Sequence, residues 1–529
     1  MLSNNIEDIG VRLPPNVNKQ QFSRAMKSFA SIVGEDWAFS DEERLEPYAD
    51  PFSPKIGNGQ PLPSGVVAPR SVDEVRAVIE TANQFRTPLW VVSTGKNFGY
   101  GGCEACVAGS VILDLKRMNR ILEVNEELAY AVVEPGVSQY DFWRYCQKNG
   151  FNLWIDGPSP AWASVVANTI ERGVGYAAKG DRFDQVCGME IVLPNGELMR
   201  TGMGAIEGAP TWNTYKYGLG PFVDGMFSQS NLGVVTKMGV YLNAQPESYR
   251  SIVIDAPEYR QVVELIDTMR ELRITGVVRT AASIVSTAQD NHEVAAKVMR
   301  GIASAKGDLD KVYAMIEQTV GWRVRIGISG HTAQVEADWR KIYASFRQAI
   351  PNCSIGSDLY EAPYNYDQMD SIAKLQAAVP SMQETEIWPH NAVFISTMLP
   401  CKGSEFWKQV EVMRDVFVRH GQFFIDAPIH FHTERSIMTI LGTMIEPGNI
   451  EQNKQAVALG KEIIEVAGEN GWGEYRTPTT FMQAASDVYS FNNHALRRFC
   501  ESVKDAIDPN GILAPGKNGI WPKSMRDKA

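Results

Sequence analysis

The sequence predicts an α+β chain in two unequal parts, and changes of texture along it carry that expectation. Through about residue 245, short apolar runs alternate with glycine and proline turns, so strands outnumber helices. From "NAQPESYRS" onward, long amphipathic helices take over, which places a second domain over roughly 246–471. The closing stretch, "DPNGILAPGKNGIW", is turn-rich again. It is expected to pack back against the first part, grouping 472–529 with 1–245.

In chain order, Ser71-Val72-Asp73-Glu74 reads as a capping box, with the serine side chain on the N3 amide and Glu74 reaching back. Val75, Val78, Ile79, Ala82 and Phe85 then share one helical face. "TPLWVV" is a buried strand leading into the glycine-rich "STGKNFGYGG". "SVILDL" and "AYAVVEPGV" read as further strands, and Ser138 to Asp141 caps a helix through "YDFWRYCQKNG". "MEIVLPNGELMRTG" is a hairpin in which Asn195-Gly196 would supply the positive φ pair of a type I′ turn. "NLGVVTKMGVYL" is another strand. In the second part, Val262, Leu265, Ile266, Met269 and Leu272 line one helix face, and "WRVRIGISGHTAQVEADWRKIYASF" is a strand, a glycine turn and a helix.

The 529 residues are 44% hydrophobic and 21% charged, ordinary values for a globular enzyme. Their net charge of -11 lacks the cationic footprint that phosphate-backbone binding needs, so nucleic acid is excluded as a partner. No apolar run approaches a membrane span. The polar, acidic "MLSNNIEDIGVRLPP" lacks the pattern of a secretory signal, and "SMRDKA" carries no peroxisomal or lipidation signal, so the expected location is cytoplasmic. Seven cysteines in so long a chain make no disulfide framework. Cys103 and Cys106 form the one close pair; without a second pair or nearby histidines they read as plain thiols, and no metal site is expected.

The loop "STGKNFGYGG" matches neither the P-loop pattern nor the G-x-G-x-x-G of a nicotinamide-binding turn. Alone, a glycine-rich turn after a strand leaves its role open. Together with "VVEPGV", "NTIERGVGY", "GMEIVLPNGELMRTGMGA", "YGLGPFVDGMFSQSNLGVVTKMG", "GWGEYRT" and "DPNGILAPGKNGIW", it resembles the vanillyl alcohol oxidase, eugenol oxidase and p-cresol methylhydroxylase family. The likeness runs in register from about residue 14 to 522.

The resemblance implies an FAD-binding domain of the p-cresol methylhydroxylase type, made of N- and C-terminal parts, with a cap domain inserted between them. It implies that Ser93, Gly95, Lys96, Asn97, Phe98 and Gly99 wrap the FAD pyrophosphate in a nest of backbone amides. Pro158, Ser164, Asn168, Gly173 and Gly175 would lie along the flavin, with Lys517 near the ring.

The resemblance also implies a phenol site, with Tyr100, Tyr475 and Arg476 holding the oxygen of a 4-substituted phenol. A free phenol has a pKa of about 10, so keeping it ionised at pH 7 requires roughly 4 kcal/mol. Hydrogen bonds to a charged group supply roughly 1.5–3 kcal/mol each, so two hydroxyls and a guanidinium suffice. In the family, ionisation weakens the benzylic C–H bond, and hydride passes to flavin N5, leaving a p-quinone methide. Water addition or loss of a hydroxyl proton then gives an alcohol or an aldehyde.

Several positions depart from the family pattern. The attachment histidine of the oxidases falls at Ala392 or Val393, and the attachment tyrosine of the cresol enzyme near Ile387 or Trp388. FAD is therefore expected to be unattached, with His390 the nearest residue able to substitute. The oxidases' aspartate beside flavin N5 is replaced by Ser159, which cannot serve as a carboxylate base. His430 and His432, expected on the same side of a strand, are the candidates for activating water.

The expected enzyme is an FAD-dependent oxidoreductase of 4-alkylphenols and 4-hydroxybenzylic alcohols, reoxidised by O2, and by analogy a homodimer. Three alternatives stay open: a cytochrome as acceptor, a non-phenolic substrate, or a flavin-binding protein that has lost catalysis.

Overall fold

A computed structural model describes residues 13–15, 17–56, 62–97, 99–157, 160–177, 180–380 and 392–528. Strands Leu89–Val92 and Gly65–Val67 both run parallel to Val111–Asp114, and the short Ala38–Phe39 closes this four-stranded sheet antiparallel. All of Val111–Asp114 is buried, as in a parallel strand covered on both faces. Val111 and Leu113 point into a core shared with Phe22 and Phe29 of helix Lys19–Val33 and with Val75, Val78, Ile79 and Ala82 of helix Val72–Phe85. Ile112, on the other face, packs with Phe39, Trp90 and Met482.

The serine half of the expected capping box forms, since Ser71 Oγ accepts from the Glu74 amide at 3.2 Å. The other half does not. Glu74 reaches past Ser71 to the Arg70 amide at 2.8 Å and to the Arg70 side chain. An arginine one residue earlier offers the carboxylate a charge-assisted partner as well as an amide.

A second, antiparallel sheet follows the order Ile121–Asn125, Tyr130–Val133, Val234–Tyr241, Val186–Val192, Leu198–Arg200. Its last two strands are the expected hairpin, but the turn is not type I′. The Gly196 amide closes onto Leu193 O at 2.9 Å, and Gly196 has φ +84° while Asn195 stays out of the left-handed region. Pro194 explains this: its ring fixes a negative φ suited to the first central position of a type I turn, leaving one left-handed residue, a glycine.

The third sheet has eight strands, all antiparallel to their neighbours: Ser354–Glu361, Ser248–Ala256, Trp322–Gly330, Ser283–Ser286, Ile429–His430, Ser436–Met444, Ala392–Pro400 and Glu474–Arg476. Helices Val262–Ile274, Thr332–Ala349, Gly403–Arg419 and Ile450–Glu469 bury their apolar stripes in its core. The five residues expected on one face of the first of these are all buried.

The chain end returns to the first sheet. Leu89 donates to Ile512 O and accepts from the Ala514 amide, each at 2.7 Å, and Leu513 bridges to Leu89 as an added parallel neighbour. Among the described residues no helix is long and apolar enough to cross a membrane.

Candidate active site

The glycine loop leaves strand Leu89–Val92 and runs against Ala392–Pro400. Gly99, at φ +75°, touches that strand so closely that a Cβ there would lie 2.2 Å from the Phe394 ring. The Phe394 amide donates to Gly99 O at 3.0 Å. This contact fixes Tyr100, whose ring centre is 5.4 Å from that of Phe394 and whose hydroxyl is 2.7 Å from Ser396 Oγ.

Strand Glu474–Arg476 pairs with Ala392–Pro400, placing Arg476 opposite Ser396 and Glu474 opposite Thr397 across a register shift. The Arg476 guanidinium carbon sits 4.3 Å from the Tyr100 ring centre and 5.7 Å from that of Tyr475, and its Nη2 donates to Asn97 Oδ1 at 2.8 Å. Two distant segments thus bring Tyr100, Tyr475 and Arg476 around one point. Arg476 Nε is buried there without a hydrogen-bond partner among the described residues.

The two histidines stand close by but do not share a strand face. The strand ends at His430, and the His432 amide turns back to His430 O at 3.1 Å. The turn sends the rings to different partners: His432 meets Tyr475 at 5.4 Å between centres, and His430 meets Tyr176 edge-on at 5.8 Å. Burial pushes the His430 imidazole down to about 4, helped by the neighbouring His432. Burial also lowers His432, against the pull of Asp181 and with a further push from Arg273. Its Nδ1 is buried and has no partner among the described residues.

Burial raises the hydroxyls of Tyr100 and Tyr475 above the ordinary phenol range, while Arg476 pulls both the other way. Both therefore remain O–H donors at neutral pH. Two neutral donors and a guanidinium suit an oxyanion.

Residues 63–202 match the FAD binding domain family. The chain is 31% identical over 524 residues to the 4-cresol dehydrogenase [hydroxylating] flavoprotein subunit of Pseudomonas putida, covering 96% of this chain and 97% of that protein. The solved structure of 4-ethylphenol oxidase from Gulosibacter chungangensis, as an isoeugenol complex, superposes with a TM-score of 0.88 at 31% identity, over 97% of this chain and 100% of that one. That of p-cresol methylhydroxylase with substrate bound gives 0.86 at 30%, over 96% and 99%. The chain belongs to the vanillyl alcohol oxidase and p-cresol methylhydroxylase family. Like its members, it is an FAD-dependent oxidoreductase with their fold.

The residues present fit the family's cofactor. Gln139 Nε2 and Oε1, Asn168 Oδ1, and Arg182 Nε and Nη1 are buried with no partner among the described residues, an arrangement that a large polar ligand would satisfy. Arg182 is 2% exposed, and burial lowers its pKa to about 10 against the pull of Asp156. Nothing in the sequence singled out Arg182 or Gln139, because an unpaired buried side chain shows itself only once its surroundings are folded.

Other expected contacts prove to have work inside the fold. Ser164 caps helix Val165–Ile170, accepting from the Ala167 amide and donating to Pro135 O at 2.6 Å. Gly173 and Gly175 make room for side chains, since a Cβ would lie 2.2 Å from the Asn168 amide and 2.1 Å from the Asp156 carboxylate. Lys517 pairs with Glu171. Ser93 is buried at the root of the glycine loop, Gly95 takes φ +67°, and Lys96 is exposed. Phe98, Pro158, Ser159 and His390 lie outside the described residues.

Proposed function

We propose that the chain oxidises para-substituted phenols, namely 4-alkylphenols and 4-hydroxybenzylic alcohols, at the benzylic carbon. The convergence of Tyr100, Tyr475 and Arg476 from separate segments is the observation that carries this reading. The relatives named for 4-cresol and 4-ethylphenol support it. Residues 1–245 and 472–529 would form the FAD-binding domain, and 246–471 the cap.

FAD, bound through the glycine loop and the buried polar atoms of Gln139, Asn168 and Arg182, supplies a two-electron acceptor for the benzylic hydride. The protein's part is to hold the phenol ionised. Tyr100 and Tyr475 donate to its oxygen, and Arg476 places a fixed positive charge beside it. The oxygen's charge moves into the ring, so loss of the para benzylic hydride leaves a neutral p-quinone methide. His432, neutral and with Nδ1 free to accept a proton, is the group we assign to activating the water that adds to it; His430 packs behind on Tyr176.

Anaerobic mixing with a panel of 4-alkylphenols tests the reading, with flavin bleaching expected. Tyr475→Phe should slow that bleaching by at least tenfold. A flavin that no phenol bleaches would favour a binding protein without catalysis; bleaching untouched by Tyr475→Phe would favour a substrate held without the phenolate grip.

We further propose O2 as acceptor, in line with the 4-ethylphenol oxidase; the similarity to a dehydrogenase subunit supports a cytochrome as the second reading. Stopped-flow reoxidation by air separates the two. We propose unattached FAD in a homodimer: acid should leave a colourless pellet, and sedimentation should give twice the chain mass.

A further inference from the structure

Glu474 stands beside the phenol site, and no role described above uses it. It occupies the same short strand as Tyr475 and Arg476. Its Oε1 is shut off from solvent and has no hydrogen-bond partner among the described residues. Its Oε2 accepts a long bond, 3.4 Å, from the Ser396 amide, the residue whose hydroxyl bonds Tyr100. Arg476, two residues on, turns its guanidinium to the Tyr100 ring and to Asn97 instead. Among the described residues, the titratable groups that feel the Glu474 carboxyl are Tyr100 from the glycine loop and Tyr489, whose hydroxyl also donates to Glu474 O at 3.1 Å; Tyr475, next along the strand, points to the opposite face. Strand Ala392–Pro400 presents no ionisable side chain to it.

We propose that Glu474 is a proton-holding positioning residue: the site accepts a phenolate only while Glu474 is neutral, and at alkaline pH Glu474 takes up the proton that the phenol gives off. The inference rests on the phenol reading and deepens it. An ionised Glu474 would put a second negative charge beside Tyr100, the donor to the bound oxygen, and repel the phenolate there. The neutral acid removes that repulsion. Burial without a cation to pair with raises the carboxyl to about 8, opposed only by the Ser396 amide, so the change of state falls within reach of experiment.

The proton balance makes the idea measurable. Near neutrality, a phenol entering as phenolate releases one proton to solvent. Above the Glu474 transition, the phenol O–H bond breaks and a carboxyl O–H bond forms, so nothing is released.

The probe is 4-tert-butylphenol, which has no benzylic hydrogen and so binds without turnover. Its Kd is read from the flavin spectrum of the wild-type holoenzyme and of Glu474→Gln between pH 6.5 and 9.5. The ratio of wild-type to variant Kd cancels the ligand's own ionisation. It is expected to climb by up to about tenfold per pH unit above pH 8, and to climb likewise when Glu474→Asp replaces the wild type. Calorimetry of the wild type alone, in buffers of different ionisation heat, should show proton release falling from about one at pH 7 to near zero at pH 9.5. A flat ratio, or release still near one at pH 9.5, overturns the proposal. Should Glu474→Gln fail to fold, the calorimetry decides alone. If no 4-substituted phenol binds at any pH, the phenol reading itself falls; binding with a flat ratio sinks only the role of Glu474.

Discussion

The guanidinium carbon of Arg476 lies 4.3 Å from the centre of the Tyr100 ring, tying the glycine loop of the first sheet to the last strand of the third. The guanidinium lies over the Tyr100 ring while Nη2 is anchored on Asn97. Arg476→Lys keeps the charge and loses both the plane and the fork. Its kcat/KM for a 4-alkylphenol is expected to drop roughly 100-fold, equivalent to about 3 kcal/mol of lost charged hydrogen bonding. Steady-state kinetics provide the check, and a loss under threefold would remove Arg476 from the oxyanion site.

Gly99 faces two constraints at once, a φ of +75° and the Phe394 ring 2.2 Å from any Cβ. Gly99→Ala is therefore expected to displace Tyr100 and loosen the cofactor, seen as flavin lost on gel filtration. Adding Phe394→Ala removes the clash but not the left-handed backbone, which costs an alanine about 1–2 kcal/mol. The double variant should recover flavin in part. Full retention by Gly99→Ala alone would show that the loop does not depend on this contact.

His430 links the site to acid stability. Its folded pKa of about 4 lies below the ordinary 6.5, so between those values the unfolded chain binds the extra proton. Its contribution is full above pH 6.5 and fades as pH falls toward 4, by up to about 3 kcal/mol. His430→Gln cannot titrate, so its Tm should fall less steeply than that of the wild type from pH 7 to pH 4.5. Parallel curves would mean that His430 is not held neutral in the folded protein.

Much of this arrangement is legible in the sequence, and the unread parts share a cause. "TPLWVV" and "STGKNFGYGG" announce a strand and a tight loop through composition and glycine spacing, and "GEYRT" marks Tyr475 and Arg476 through its likeness to the family. Local signals fail where a neighbour outside the pattern intervenes: Arg70 diverts Glu74 from its box, and Pro194 sets the turn before Asn195. His430 and His432 look like strand alternation, yet the strand stops between them. Ser396, Glu474 and Arg182 give no signal because their roles come from partners far away in sequence, or from having none.

The chain end that backs the glycine loop is held by a buried ion pair, which allows a last prediction away from the chemistry. Lys504 and Asp508 are 2.7 Å apart, both with 0% side-chain exposure. Lys504 Nζ also donates to Asn231 O and Leu513 O, at 2.7 and 2.6 Å, while Asp508 accepts the amides of Ile512 and Leu513 at 3.0 and 2.9 Å. Leu513 lies beside Leu89, the first residue of the strand that delivers the glycine loop. Burial lowers the Lys504 pKa, with Asp508 opposing the shift, so neither charge is cheap to leave alone. Removing one partner of such a pair typically costs about 3–5 kcal/mol, because the other charge stays buried and uncompensated. Asp508→Asn and Lys504→Met should therefore each lower the holoenzyme Tm by roughly 3–5 °C, at about 1 °C per kcal/mol for a chain of 529 residues. The double variant buries no stranded charge, so its loss should fall well short of the two single losses added together. Strict additivity would mean that the two side chains act through their backbone partners rather than on one another.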